Sequence, residues 1–297
     1  MVKWLHDLYI LDNEIINLKL NINIPREFLK MRIETTSASI LSFSTAIFIF
    51  VVDILCFYPT SFDKFFSNVN YCVPTLAANV MFLKFFCLLL VLRRRYQWIN
   101  KGISDWKDRF NDGHNTGIYE TDIFLIKKFQ AVYFNEKHLA MLDNLRMKHF
   151  RLHTLTDELL QMFSSPLLFS FLQMFISFQV YTLYFIKLPT TQFAQKTTSL
   201  YQFFGKGNIV IAGIQLVFLG VAGSLISVEA HRTGSILNNI KSNAEAIDEY
   251  VKYFICQLFH NKVEITAYNI FVIRISLIFQ VASSLTSYLV LCIQLHI

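Results

Sequence analysis

The chain has 297 residues, of which 54% are hydrophobic and only 16% are charged, with a formal net charge of +6. Soluble domains carry about 25% charged residues, so the composition argues against a soluble globular protein and predicts a helical membrane protein. The positive charge does not indicate nucleic-acid binding, because many carboxylates accompany the basic residues and no aromatic-basic platform is present.

Five apolar segments have the length of about 20 residues that crosses the hydrocarbon core of a bilayer. They predict an all-α, polytopic membrane protein, a helical bundle with long cytoplasmic helix extensions. The spans are 37–57, 71–92, 163–186, 208–228 and 270–293. The predicted regions are a cytoplasmic loop (1–36), two spans with a short outer loop (37–92), a cytoplasmic helical region (93–162), two further spans (163–228), a second cytoplasmic helical region (229–269) and the last span (270–297).

Lysine and arginine determine the predicted orientation. Residues 1–36, 93–162 and 229–269 hold 21 of the 27 basic residues, whereas 58–70 and 187–207 hold four. Because basic residues concentrate in cytoplasmic loops, we predict a multi-pass plasma-membrane protein with a cytoplasmic N-terminus and an extracellular C-terminus.

Two cytoplasmic regions are predicted to be helical extensions of membrane spans. Residues 119–161 contain neither proline nor glycine, and their apolar and charged positions interleave as in an amphipathic helix. This helix is expected to run directly into the third span, after a break in the turn-rich run 111–117. Residues 229–262 form the second extension. Because no globular domain accompanies them, the two extensions are expected to pack together.

The last span carries a stripe of mostly polar residues. Gln280, Ser284, Ser287, Leu291 and Gln294 follow one another at spacings of three or four residues, so they share one side of a helix. Polar groups cost free energy in hydrocarbon unless they find a partner. The stripe therefore faces other helices or water, and the spacing alone leaves open a packing seam or a pore lining.

No enzyme site is predicted, because no Ser-His-Asp order, phosphate-binding loop or nucleotide-binding glycine motif occurs. His149 and His153 have an i, i+4 spacing that can bind a metal, but no third ligand accompanies them, and packing contacts are the preferred interpretation. We predict no catalytic residue, no metal and no cofactor. Cys56 and Cys72 would flank the first outer loop, either as a disulfide or as free thiols.

The end of the chain resembles the signature of insect gustatory receptors, within the insect chemoreceptor superfamily. That signature is Thr-Tyr, five hydrophobic residues and Gln-Phe, and residues 287–295 read Ser-Tyr-Leu-Val-Leu-Cys-Ile-Gln-Leu. Residues 229–271 and 139–155 are similar to the cytoplasmic helices of that family. The five spans resemble spans three to seven of a seven-span receptor. The first two spans are therefore expected to be missing, through a shortened gene model, a pseudogene or a natural short isoform.

The resemblance implies a subunit of a ligand-gated, non-selective cation channel that detects small-molecule tastants. Such subunits assemble as homo- or hetero-tetramers with related receptors, and the last helix of each lines the pore. The implied pore and gate residues are Ser287, Tyr288, Leu291, Gln294 and Leu295. Ser287 stands where the signature has threonine, and Leu295 stands where it has phenylalanine.

A ligand pocket that opens outward among the other spans is also implied. Candidate residues in their outer halves are Asp53, Tyr71, Phe178, Tyr181 and Tyr184, for which core packing and an interfacial aromatic belt are the alternative. The expected partners are a tastant, membrane lipids and related subunits, with no nucleic acid. The alternative function is a non-conducting membrane binding protein or a small-molecule transporter, which would give saturable uptake without channel-like conductance.

Overall fold

A computed structural model of the chain describes residues 1–18, eight single positions between 29 and 47, and residues 62–115, 124–187, 199–240 and 245–294. Its helices are α1 (Val2–Asn17), α2 (Phe62–Asn115), α3 (Phe124–Lys187), α4 (Ser199–Asn238), α5 (Glu245–His260) and α6 (Ile275–Gln294). A two-stranded antiparallel hairpin, β1 (Thr266–Ala267) and β2 (Phe271–Val272), precedes α6. The predicted all-α class is confirmed, and the chain divides into two compact units.

The first unit comprises Met1–Met31, Val91–Leu159 and Leu225–Glu264. Its core consists of side chains spaced three or four residues apart along each helix, which is the pattern of helices packed as in a coiled coil. On α2 these are Leu92, Tyr96, Ile99, Ile103, Trp106 and Phe110, none more than 3% exposed. On α3 they are Leu142, Leu145, His149, Leu152, Thr156 and Leu159. His149 and Thr156 thus place polar groups in an apolar seam.

Helix α1 packs into this first unit by its apolar face. Trp4, Leu8, Leu11 and Ile15 are buried at successive spacings of four, three and four residues, as expected of an amphipathic helix. The Trp4 indole donates a 2.7 Å hydrogen bond to the main-chain oxygen of Leu155. The region described above as a cytoplasmic loop (1–36) therefore contains a packed helix.

The second unit comprises Arg32–Leu90, Leu160–Ser224 and Ile265–Ile297. Phenylalanines join its elements: the ring centroids of Phe85 and Phe163 are 5.3 Å apart, and those of Phe171 and Phe271 are 4.9 Å apart. Tilted aromatic pairs at these distances contribute stabilisation beyond the area they bury. Phe171 thereby connects α3 to the hairpin that leads into α6.

The structure corrects one predicted extension and agrees with the other. Helix α3 runs unbroken from Phe124 to Lys187, which agrees with the helix predicted over 119–186 for the part that the structure describes. Residues 229–262 do not form one helix, because α4 ends at Asn238 and α5 begins at Glu245. The N–H of Ile240 bonds the carbonyl of Leu237, three residues back, which tightens and ends α4. Glu245 and Asp248 then complement the N-terminal dipole of α5.

Two helices in the described residues are long and apolar enough to cross a membrane, Glu136–Ile176 and Gly213–Asn238. They overlap the predicted third and fourth spans. Ile275–Leu291 is a shorter apolar helix that overlaps the predicted last span. Of the first predicted span (37–57), the structure describes only positions 37, 40, 44 and 47. The side chains of the cysteine pair lie outside the described part of the chain.

Candidate functional site

The last helix begins later than predicted. The sequence was expected to be helical from residue 270, and this was wrong, because α6 starts at Ile275 after the hairpin. Tyr268 and Asn269 have positive φ angles of 52° and 56°, and the N–H of Ile270 bonds the carbonyl of Ala267 at 3.0 Å. Two successive residues of positive φ form the tight turn that suits an antiparallel hairpin.

Two glycines of α4 let the segment that enters α6 lie against the helix backbone. A Cβ added at Gly223 would stand 2.2 Å from the carbonyl oxygen of Ile273, and one at Gly220 would stand 3.1 Å from that of Arg274. The missing side chains make this approach possible. The start of α6 is therefore in direct contact with α4.

A serine of α4 also satisfies the first turn of α6. The N–H of Ile275 donates a 3.1 Å hydrogen bond to the Ser224 hydroxyl. The first four N–H groups of a helix have no acceptor within the helix, so a hydroxyl from a neighbouring element acts as a cap.

We expect Ser224→Ala to destabilise the protein by about 1 kcal/mol, the usual effect of losing a cap. The measurement is the thermal midpoint of the purified chain in detergent. Ser164→Ala is the control, because the Ser164 hydroxyl donates only to the carbonyl of Leu160 in its own helix. Equal midpoints for the two variants would contradict the capping role.

Helix α6 packs against the rest of the second unit by one face and leaves the predicted stripe uncovered. Leu277 and Leu285 are buried, at 5% and 7% exposure. All five stripe residues, listed next, are exposed in the single chain: Gln280, Ser284, Ser287, Leu291 and Gln294. Of the other predicted pore and gate residues, Tyr288 is half-buried and Leu295 lies outside the described residues.

The exposed hydroxyls and amides of α6 differ in how their polar groups are satisfied. The hydroxyls of Thr286 and Ser287 donate to carbonyls four residues back, at 2.9 and 3.0 Å. Such internal bonds allow a hydroxyl to face an apolar surface. A glutamine amide carries two donors and an acceptor. The exposed side chains of Gln280 and Gln294 therefore need more hydrogen-bond partners from whatever covers this face.

The predicted ligand-pocket residues stay untested. Phe178 lies half-buried on α3. Tyr71 lies on α2, and Tyr181 and Tyr184 lie on α3, with side chains outside the described part of the structure; Asp53 lies outside it altogether. The prediction that these five line one pocket therefore remains a prediction.

Sequence reasoning missed a polar cluster between α3 and α5 in the first unit. Arg146 bonds the Asp143 carboxylate at 2.9 Å, the Tyr250 hydroxyl at 2.6 Å and the Gln257 amide oxygen at 3.0 Å. The Tyr250 hydroxyl also donates to Asp143. That bond, together with Arg146, lowers the pKa of Asp143. These contacts agree with the predicted packing of the two extensions.

A second missed cluster surrounds Glu229 on α4. Asn100 of α2 donates to the Glu229 main-chain oxygen at 2.7 Å and accepts from the Thr233 hydroxyl at 2.6 Å. Gln97 donates to the Glu229 carboxylate at 3.1 Å. Buried polar groups that satisfy one another fix how helices align, so this cluster sets the register of α2 against α4. Residues 132 positions apart carry no local signal of such a contact.

A family model described as 7tm Chemosensory receptor matches residues 1–297, the whole chain. The chain belongs to this chemosensory receptor family. No curated protein matches it. Members are helical membrane proteins and the family is not an enzyme family, so the chain has a chemoreceptor role at a membrane. The family match agrees with the predicted resemblance to insect gustatory receptors.

Proposed function

We propose that the protein is a subunit of a ligand-gated, non-selective cation channel for small-molecule tastants, and that α6 lines its pore. The supporting observation is that the stripe on α6, from Gln280 to Gln294, is exposed in the single chain. Amides against lipid are costly. Their exposure favours a state in which copies of the chain, or related subunits, surround a wet axis as a tetramer.

In this proposal, a tastant binds among the other spans, in the region that includes Phe178. Binding favours a state in which the last helices move apart. A constriction at Leu291, Gln294 and Leu295 then wets and passes cations. The close approach at Gly223 supplies a mechanical link, because a displacement of α4 is passed directly to the start of α6.

The proposed orientation places the N-terminus in the cytoplasm and the C-terminus outside the cell, following the distribution of lysine and arginine. Epitope tags at both ends of the chain, stained before and after permeabilisation, test it. Surface staining of an N-terminal tag in intact cells would contradict the proposed orientation.

Neighbouring hydroxyls on α6 provide a matched test of pore lining. Ser287 and Thr286 are both exposed and both bond a carbonyl four residues back, but only Ser287 is on the stripe. Each is changed to cysteine in a background that lacks the five native cysteines. We expect a positively charged thiol reagent, applied from outside, to reduce the tastant-evoked current several-fold in Ser287→Cys and to leave Thr286→Cys unchanged, because charge in a pore repels cations.

Equal block of both variants, or of neither, would contradict the pore assignment. Saturable tastant uptake without any evoked current, in cells that display the chain at the surface, would favour the alternative of a transporter or non-conducting binding protein.

A further inference from the structure

A small cavity in the first unit is lined by two histidines of α3 and by the end of α5. His149 and His153 lie one helical turn apart, and Gln257 and Asn261 also line the space. Its volume admits roughly one water-sized body. His149 is buried, and its ring contacts the rings of Tyr96 and Phe254 at centroid distances of 5.4 and 6.0 Å.

Each of the two histidine rings already has a hydrogen-bond partner within the protein. His153 Nδ1 lies 3.0 Å from a carboxylate oxygen of Asp157, and His149 bonds the main chain of Ala230. The Nε2 atoms of both rings are buried and have no hydrogen-bond partner in the described part of the chain. A buried polar nitrogen left without a partner is costly, so the Nε2 of His149 favours a ligand that the protein itself does not supply. The Nε2 of His153 can join it when that ring is neutral, although the main chain of Asn261 and Lys262 also lies close to His153.

We propose that His149 and His153 bind one borderline divalent transition-metal ion, such as Zn²⁺, through their Nε2 atoms. A histidine that ligates a metal characteristically donates the N–H of its other ring nitrogen to a carboxylate or to a main-chain carbonyl. Asp157 supplies the carboxylate for His153, and the main chain of Ala230 supplies the acceptor for His149. An i, i+4 pair directs two imidazoles to one side of a helix, and imidazole suits zinc, copper and nickel.

The surroundings of the pair fit a partly open site. No cluster of three His, Cys, Asp or Glu residues occurs among the described residues. The ion would fill the cavity, and an oxygen from the end of α5, such as that of Asn261, together with water at the open side of the cavity would complete the shell. Burial lowers the pKa of His149 to about 3, which keeps this ring neutral and able to ligate. The hydrogen bond to Asp157 raises the pKa of His153, so a metal ion displaces a proton from that ring when it binds. Arg146 also lines the cavity, but it is paired with the carboxylate of Asp143 at 2.9 Å.

The test is metal titration of the untagged full chain, purified in lipid nanodiscs. Cu²⁺ serves as the spectroscopic probe and Zn²⁺ as its competitor. We expect one equivalent of Cu²⁺ whose electron paramagnetic resonance spectrum shows coupling to two nitrogens, and we expect Zn²⁺ to displace it. His153→Ala should weaken binding at least about 10-fold and remove one nitrogen coupling, because it deletes one of two protein ligands. His6→Ala, at an exposed histidine of α1, should change nothing.

Asp157→Asn is the second test variant. It is used in place of a substitution at His149, because that side chain is buried and replacing it can prevent folding. This variant keeps both ligands but weakens the group that orients His153, and loss of such a partner typically lowers metal affinity about 10–100-fold. Failure of the wild-type chain to bind Cu²⁺ would overturn the proposal. Binding that is unchanged in both His153→Ala and Asp157→Asn would also overturn it, by assigning the metal to other groups.

Discussion

Gly223→Ala is expected to destabilise the second unit strongly. The new Cβ would lie 2.2 Å from the carbonyl oxygen of Ile273, and that atom belongs to main chain that cannot rotate away. The N–H of Ile273 bonds the carbonyl of Ile265 at 2.7 Å, so moving Ile273 breaks the base of the hairpin. Overpacking typically costs about 1–3 kcal/mol and occasionally more, and displaced main chain puts this variant at the upper end.

Gly213→Ala is the matched control for this prediction. Both glycines lie in α4, but a Cβ at Gly213 would meet nothing within 4 Å. Alanine favours a helix over glycine by about 1 kcal/mol, so this variant is expected to be as stable as the wild type or more so. The measurement is the monodisperse yield and thermal midpoint of each chain in detergent. A Gly223→Ala chain with the wild-type midpoint would show that the close approach is not required.

Asp12→Ala is expected to destabilise the first unit by about 3–5 kcal/mol, which is the usual cost of leaving one partner of a buried ion pair alone. The Arg95 guanidinium reaches both oxygens of Asp12, at 2.9 and 2.6 Å, and a third bond goes to the carbonyl of Val91. The Arg95 side chain is only 4% exposed. Removing the carboxylate therefore takes away the negative charge that two nitrogens of this buried guanidinium contact.

Two further variants separate the ion pair from general damage to α1. Asp12→Leu combined with Arg95→Met replaces both charges with apolar groups, and it should recover most of the stability that Asp12→Ala loses. Asp248→Ala removes the carboxylate of a surface pair with Lys252, whose side chain is 72% exposed, and should have little effect. Chemical unfolding followed by tryptophan fluorescence measures all three. The pair would be unimportant if Asp12→Ala and Asp248→Ala unfolded at the same denaturant concentration.

The long helices were accessible to sequence reasoning because their signal is repeated many times. The absence of proline and glycine from residues 119–161 predicted the helix that the structure gives as part of Phe124–Lys187. The stripe on α6 followed from spacing alone, and the structure leaves it exposed. The apolar spacing of Trp4, Leu8, Leu11 and Ile15 is present in the sequence too, but charged residues interleave with it, so it lacks the long apolar run that marks a membrane span.

The start of α6 and the polar clusters could not be predicted in the same way. Strands of two residues have no periodicity to read, and the turn before β2 places a tyrosine, Tyr268, at positive φ, where tyrosine is uncommon. The role of Gly223 depends on a carbonyl 50 positions away. The Asp12–Arg95 pair likewise joins residues 83 positions apart. Such contacts arise only once the chain is folded.

Cross-linking between copies at Leu291 tests the proposed pore most directly. Leu291 is 53% exposed on α6, and a cysteine there, in a background without native cysteines, would face its counterparts across the axis. Oxidation in membranes is predicted to join chains covalently and to abolish the tastant-evoked current, with both effects reversed by a reducing agent, while Thr286→Cys stays uncross-linked. Chains that remain single after oxidation of Leu291→Cys, with an undiminished current, would contradict a pore formed by α6.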